Sequence, residues 1–372
     1  MDFVIIGGGV YGVGVAWELA KRGAEVLVLE AGEIASGASG GLGKRGVRAN
    51  GRDVRELPLM RVAYELWPDL HERLGAPIGY ERVGNLHLIE RDRDMAGAAA
   101  QAWMQEQQGI PTTFLNAEAV REMEPALSPR IQGALYCPGD GVADHTATTR
   151  ALAQAAQRHG AVIREHTRVT QLERSGDRIV AVMTAQEERI EVRRTVLLLA
   201  NTGVPDMLQA QFGVILPVWT VWPQIVLTEP IEPMLVHYLI GHASRLLAMK
   251  STPDSRVMIS GGWRGRLNPH TGQGEAQPDQ VQGNVAEAVA VYPGLEGVLV
   301  AEAKTDRRES TTVDGIPIID RVPGLSNAVF ATGWSGHGWA IAPAVNQLLA
   351  AWVYSDSGAS QLYAFRYSRF RR

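Results

Sequence analysis

Cysteine is almost absent. Cys137 is the only one in 372 residues, so the chain cannot close an internal disulfide, and its composition fits a reducing compartment. The sequence also lacks any run of the roughly 18 apolar residues that a membrane span requires, any long block of one charge sign, and any repeat or low-complexity tract. A formal net charge of −4 without clustering excludes the basic footprint of a nucleic-acid binder and an acidic tail. The arginines of 366–372 read as a solvated terminus. No metal-ligand spacing occurs, and no Ser/His/Asp arrangement can be argued. The first apolar stretch opens on Asp2, is studded with glycine and carries Glu18, which reads as a folded strand and not as a secretory leader. These absences leave a soluble, cytoplasmic globular protein. With 45% hydrophobic residues it can bury a large core and fill two domains.

What the chain does have is glycine in informative places. An apolar strand over 2–6 leads into Gly7-Gly8-Gly9-Val10-Tyr11-Gly12, an amphipathic run to Lys21, a stop at Gly23, a second apolar strand over 25–29, and Glu30 at its end. This is a dinucleotide-binding βαβ unit. Gly7 permits the tight turn, Gly9 lets backbone N–H groups approach a pyrophosphate, Gly12 allows close helix–strand packing, and Glu30 stands where a carboxylate accepts from ribose hydroxyls. The motif alone does not choose between NAD and FAD.

Further along, 52–75 reads as one helix, "YERVGNLHLIE" as a strand, 96–108 as a helix and "GALYCPGDG" as a strand ending in a turn. A helix over 146–159 with "AVIREHTRV" resembles another piece of the first domain, and a meander over 178–193 delivers a buried strand at 195–200. Residues 214–300 are mostly strand, with one helix near 280–291. The chain finishes with a strand at 328–331, the loop "TGWSGHGW" and a helix from about Ile341 with Pro343 in its first turn. Nucleotide-type elements thus recur at the start, middle and end between β-rich insertions. The expected architecture is α/β (α+β, two-domain): a discontinuous Rossmann-like domain of 1–76, 141–212 and 315–372 interleaved with a β-sheet-rich substrate domain of 77–140 and 213–314.

Taken in order, "VIIGGGVYGVGVAWELAKRGAEVLVLE", "IASGASGGLG", "DGVADHTATTRALAQAAQRHGAVIREHTRV", "PVWTVWPQIVLTEP", "VDGIPIID" and "GWSGHGWAIAPAV" resemble the flavin-dependent amine and amino-acid oxidoreductases, the family of D-amino-acid oxidase, glycine oxidase and sarcosine oxidase. The nearest likeness is to the sarcosine oxidase and proline dehydrogenase β-subunit type. The resemblance implies FAD over NAD. It places Gly7, Gly9, Val10, Tyr11 and Gly12 on the pyrophosphate, Glu30 and Ala31 at the adenosine ribose, and the Val169 backbone on the adenine. Ser36, Ala38, Ser39, Gly41, Leu42 and Gly43 would line the ribityl chain and isoalloxazine, unless this small-residue stretch is only a flexible loop. Arg45 would support the flavin, and Ala200, Asn201 and Gly203 would close over it. Gly333, Gly336, His337, Gly338 and Trp339 would offer backbone N–H groups and a helix dipole to the negative charge of reduced flavin.

Arg48, three residues after Arg45, resembles the arginine that grips a substrate carboxylate, a task suited to a planar guanidinium. The alternative is a surface cation on the way into a helix. His337 is equally open to facing flavin or substrate, or to satisfying a backbone carbonyl. Trp263 is the first choice for an aromatic pocket wall, followed by Trp219, Trp222, His237 and Tyr238.

Departures from the pattern also carry information. Where sarcosine oxidases place a flavin-linking cysteine stands the 306–308 stretch, so FAD is expected to be non-covalent. Ala340 replaces a lysine after "SGHGW", Met258 replaces the oxygen-activating lysine, and "TDRREST" replaces an aromatic segment. The expected activity is oxidation of a small amino acid or N-alkyl amino acid to an imine by hydride transfer to flavin, with oxygen or a partner redox protein as electron acceptor. The alternatives are the FAD-bearing catalytic subunit of a multi-subunit amine dehydrogenase, with a homo- or hetero-oligomer both open, and a flavin-binding protein without turnover.

Overall fold

The computed structural model describes residues 1–39 and 43–371. Its first sheet has six strands in the order Ile318–Arg321, Ala328–Thr332, Thr195–Leu198, Phe3–Ile6, Val26–Leu29 and Val162–Arg164. Five run parallel and only Ile318–Arg321 is antiparallel to its neighbour. A sheet of this kind needs cover on both faces, and the sequence supplies it by using apolar residues at consecutive positions. Phe3 and Ile5 pack under the helices Val10–Ala20, His145–Arg158 and Gly338–Ser355. Val4 and Ile6 point the other way, into a core shared with the meander Val169–Ser175, Arg178–Thr184, Arg189–Glu191 and the helix Gly203–Phe212.

The second large sheet has eight strands in the order Val300–Lys304, Ile225–Thr228, Val257–Ser260, Ala248–Ser251, Leu239–His242, Asn85–Ile89, Gly133–Cys137 and Thr113–Asn116. Period-two alternation divides its side chains. Leu86, Leu88, Ile240, Met249, Val257 and Ile259 form a core with Ala288 and Val291 of the helix Pro278–Val291. Their neighbours His87, Leu239, Gly241, Lys250 and Met258 occupy the opposite face. There the strand Lys44–Val47 crosses them, itself part of a small antiparallel sheet with Gly141–Asp144 and Glu81–Arg82.

Three local expectations need correction. The helix expected over 52–75 is broken into Leu57–Leu66 and Leu70–Leu74. Pro68 has no N–H for the Tyr64 carbonyl, which accepts instead from Arg82 at 3.1 Å. The last long helix starts at Gly338, three residues early, so Pro343 lies inside it and not in its first turn. Its ring leaves the Trp339 carbonyl without the usual i+4 donor. The arginine-rich end is not merely solvated, because Arg369 binds both oxygens of Asp314 at 3.0 Å and the carbonyl of Ile316 at 2.9 Å.

Candidate active site

The glycine turn is built for close approach of a ligand. Gly7 has φ of +112°, and a Cβ there would lie 2.7 Å from the Leu199 carbonyl oxygen, while a Cβ on Gly12 would lie 1.8 Å from the oxygen of Gly7. Those contacts let the opening helix sit directly on its strand. A Cβ on Gly9 would meet nothing within 4 Å. Gly9 caps the helix Val10–Ala20 without a side-chain hydrogen bond, and no acidic residue stands in its first turn. The positive end of that helix is thus open to a phosphate. Glu30 is held beside it, accepting from Gly8 N at 2.6 Å and Gly32 N at 2.8 Å. Ala31 follows, exposed. Val169, itself buried, begins a strand two residues after Thr167, whose N–H binds the Glu30 carbonyl at 2.7 Å.

From the nucleotide turn the site extends to the far end of the chain. Tyr11 donates to the Gly338 carbonyl at 2.5 Å and stacks on Trp334 with ring centroids 3.7 Å apart. Gly333 and Gly336 take φ of +74° and +78°, turning the loop so that Gly338 starts the helix against the Trp334 ring, where a Cβ would come within 2.9 Å. Trp339 stacks at an angle on His145 and Trp67.

The small-residue loop meets this region at Ser39, which donates to Glu309 Oε2 and whose carbonyl accepts from Arg45. Ser36 and Ala38 precede it, and Gly43 accepts from His145 N at 3.3 Å. Gly41 and Leu42 lie outside the described residues. Asn201, with φ of +44°, donates to Glu309 Oε1 at 3.2 Å, and Gly203 opens the helix behind Ala200 and Asn201. Burial pushes the Glu309 carboxyl above its usual range, although Ser39, Asn201, Ser310 and Arg45 oppose this. Burial and Arg307 lower Arg45 to about 10.

Arg48 emerges at the end of the strand Lys44–Val47. Its guanidinium donates to the Asn50 carbonyl at 2.8 Å. The backbone after it is pinned by buried Asp140, which accepts from Ala49 N at 2.6 Å and Asn50 N at 3.2 Å. Burial and neighbouring Arg52 lower Arg48 to about 10, so it stays charged at neutral pH. Arg52 is itself committed: it pairs with buried Glu56 at 3.2 Å and donates to the His337 carbonyl at 2.6 Å. The His337 ring faces the same acid, whose Oε2 lies 3.8 Å from Nδ1. Burial lowers the imidazole below its ordinary value, with Glu56 opposing and Arg48 and Arg52 adding to the shift. The ring is neutral at pH 7.

Trp263 does not join this group. Its ring lies against Gly283 of the helix covering the far face of the eight-stranded sheet, and its indole donates to the Leu246 carbonyl at 3.1 Å. Trp222 packs on Gly274, His237 is taken by Glu124 at 3.2 Å, and Tyr238 meets Tyr136 edge-on. Trp219 is 45% exposed on the strand Val218–Val221. Glu56, His87, His145, Lys250 and Glu309 were not anticipated. Lys250 had a signal in "AMKS", where alternation sets it opposite buried Met249, but only the strand register shows that it pairs with Met258.

The buried atoms Trp339 Nε1, His145 Nδ1 and Asn201 Oδ1 have no hydrogen-bond partner among the described residues. Unsatisfied polar atoms, an uncapped helix N-terminus and glycines that cannot carry a Cβ are what a bound dinucleotide requires. A nucleotide turn, a second glycine loop running into a helix N-terminus, and a β-sheet wall with an arginine define a dinucleotide-dependent oxidoreductase site. Among the described residues no group of His, Cys, Asp and Glu could hold a metal, and no helix is long and apolar enough to cross a membrane.

Comparison with known proteins specifies the class. Residues 2–352 match the DAO family, described as FAD dependent oxidoreductase. The chain is 27% identical over 380 residues to sarcosine oxidase subunit beta of Rhizobium meliloti (strain 1021), covering 100% of this chain and 88% of that protein. It is 26% identical over 375 residues to glycine oxidase of Geobacillus kaustophilus (strain HTA426), covering 99% and 97%. Its fold superposes on the crystal structure of L-proline dehydrogenase from P. horikoshii with a TM-score of 0.89 at 26% identity, covering 100% and 98% of the two chains. The chain belongs to the FAD-dependent oxidoreductase family that contains the sarcosine and glycine oxidases.

Proposed function

We propose that this enzyme oxidises the C–N bond of a small amino acid or N-alkyl amino acid, of the sarcosine, glycine or proline kind, to an imine that water then hydrolyses. The carrying observation is Arg48, a cation on the site wall whose only hydrogen bond among the described residues is to a backbone carbonyl, close to His337 and the helix N-terminus at Gly338. When bound, FAD supplies the two-electron acceptor for the hydride that leaves the carbon beside nitrogen. The glycine turn at Gly7, Gly9 and Gly12, with Glu30, would hold its ADP half. Ser39, Arg45, Asn201 and the Gly336 to Trp339 loop would hold the flavin, without a covalent link, since Cys137 is fully buried beside Thr112. Sheet strands support the division of labour: those of the six-stranded sheet fall within 1–76, 141–212 and 315–372, and those of the eight-stranded sheet within 77–140 and 213–314.

Arg48 anchors the substrate carboxylate through charge-assisted hydrogen bonds, which fixes the reacting carbon. His87, Leu239 and Met258 wall off water. Backbone N–H groups of Gly338 and Trp339 and the helix dipole stabilise negative charge in the site. Neutral His337, braced by Glu56, is a hydrogen-bonding group there and not a fixed cation. Hydride carries away two electrons, the nitrogen sheds its proton, and one water supplies the oxygen of the carbonyl product. Turnover with an artificial dye acceptor tests this: one carbonyl product should be trapped per amine consumed, and dye reduction without a carbonyl product would refute the reaction.

A second reading, in which this is the FAD-bearing subunit of a multi-subunit dehydrogenase, has its own support. Val281, Val285, Val289, Val298 and Val300 line an apolar groove of about 570 Å3 next to the edge strand Val300–Lys304. Relatives named as subunits point the same way. Reduced enzyme that recovers slowly in air but quickly with dye supports it, and rapid recovery in air supports an oxidase.

A further inference from the structure

The wall facing the strand Lys44–Val47 holds a second cation besides Arg48. Lys250 lies on the same face of its sheet as Met258, its cross-strand partner, and opposite Met249, which enters the core. Its ammonium donates to the carbonyl of Lys44, at one end of the crossing strand, while Arg48 stands at the other. Four extended residues separate those ends by about 13 Å of backbone. Between them are Gly46, where an added Cβ would touch only Leu239 at 3.8 Å, and Gly241, opposite His87. A cation therefore stands at each end, and between them lie two residues without side chains and the His87 ring, whose Nδ1 is 3.1 Å from where a Gly241 Cβ would be.

Both cations differ from their neighbours in one respect. Lys44 pairs with Glu81 at 2.6 Å and Arg52 with Glu56 at 3.2 Å. Among the described residues, neither Arg48 nor Lys250 has a carboxylate within ion-pair distance, and each hydrogen-bonds only a backbone carbonyl. A half-buried cation held this way has lost water without a carboxylate in direct contact, an arrangement that favours an incoming anion. Burial, Arg45 and Lys44 lower the Lys250 ammonium to about 8, with Asp144 opposing, so it is charged at neutral pH.

Resting on the amine-oxidising reading above, we infer that the substrate carries two carboxylates on separate arms of one nitrogen. It would be an N-carboxyalkyl amino acid whose first carboxylate binds Arg48 and whose second binds Lys250. The secondary amine then lies between the two, along the line of Gly46 and His87.

Anaerobic titration of the FAD-loaded enzyme with thiodiacetate and with (methylthio)acetate tests this, because the thioethers have no amine to oxidise and differ by one carboxylate. Flavin absorbance reads the dissociation constants. Thiodiacetate should bind tighter by about 10- to 100-fold, the worth of one charge-assisted hydrogen-bonded pair. Lys250→Met should abolish the difference while leaving (methylthio)acetate binding intact, and Lys250→Arg should preserve it. Equal binding of the two thioethers to the unaltered enzyme would overturn the inference. So would a Lys250→Met enzyme that keeps the preference, or one that melts as the parent does and loses only the rate of re-oxidation by oxygen, since the lysine would then serve the acceptor. Flavin bleached by sarcosine without a dicarboxylate preference would overturn this inference alone; no bleaching by any mono- or dicarboxylic amine would overturn the amine-oxidising reading itself.

Discussion

Tyr11 and Gly338 are 327 positions apart and joined by a 2.5 Å hydrogen bond from phenol to carbonyl. The bond ties the nucleotide helix to the loop that introduces the last long helix and so holds the two ends of the proposed cofactor site together. Stacking of Tyr11 on Trp334 reinforces it. Tyr11→Phe keeps the stack and removes a second donor from a carbonyl that the helix itself still pairs, which should cost about 0.5–1.5 kcal/mol in denaturant unfolding and weaken FAD retention. Unchanged stability would show that the bond contributes nothing.

Gly12 tolerates no side chain. A Cβ there would lie 1.8 Å from the backbone oxygen of Gly7, and backbone cannot rotate away as a side chain can. Gly12→Ala should yield folded protein that purifies with little or no FAD, read from its visible absorbance. Full flavin content in the variant would contradict the close helix–strand approach.

Arg48 is assigned the substrate carboxylate. Arg48→Ala should raise the half-saturating concentration for flavin reduction by about 10- to 100-fold, with a smaller effect on the limiting rate. An unchanged half-saturation value would remove Arg48 from the carboxylate site.

His242 sets a pH dependence of stability outside the site. Its Nδ1 accepts from the N–H groups of Ser244 and Arg245, each at 3.1 Å, which a protonated ring could not do. Burial and Arg245 lower its pKa from 6.5 to about 4. Below pH 6.5 the unfolded chain binds a proton that the folded chain refuses, so stability falls with pH down to about 4, by about 3 kcal/mol from this group. His242→Gln should flatten the acid-side fall of the melting temperature by a matching amount. Identical slopes for the two proteins would contradict a neutral buried ring.

The parts of this fold legible in the sequence are those where one backbone rule suffices. Gly7 and Gly12 between apolar strands mark the nucleotide turn because each has a steric reason to be glycine, and Gly9 stands where a phosphate would approach the helix. Apolar residues at every position of 3–6 and 196–199 mark strands buried on both faces. Helix ends read less well: Pro343 looked like a first-turn residue, but Gly336 turns the chain early enough for the helix to begin at Gly338. In the proposed site, motif and chemistry point to Arg48 and His337, which the fold sets near one another. The site was not legible where strand register decides, since Lys250 reaches the wall only because it pairs with Met258, and Trp263 misses it because Gly283 leaves room for its ring on the other side. Glu56 and Glu309 are polar residues whose burial no local pattern reveals.

The most direct measurement is anaerobic mixing of the FAD-loaded enzyme with N-methyl, N-carboxyalkyl, cyclic and unsubstituted amino acids while following the oxidised-flavin absorbance. Bleaching by at least one of them, saturable in its concentration and weakened by Arg48→Ala, is the predicted result. An oxidised spectrum that survives every amine, in enzyme that retains its flavin, would contradict the account.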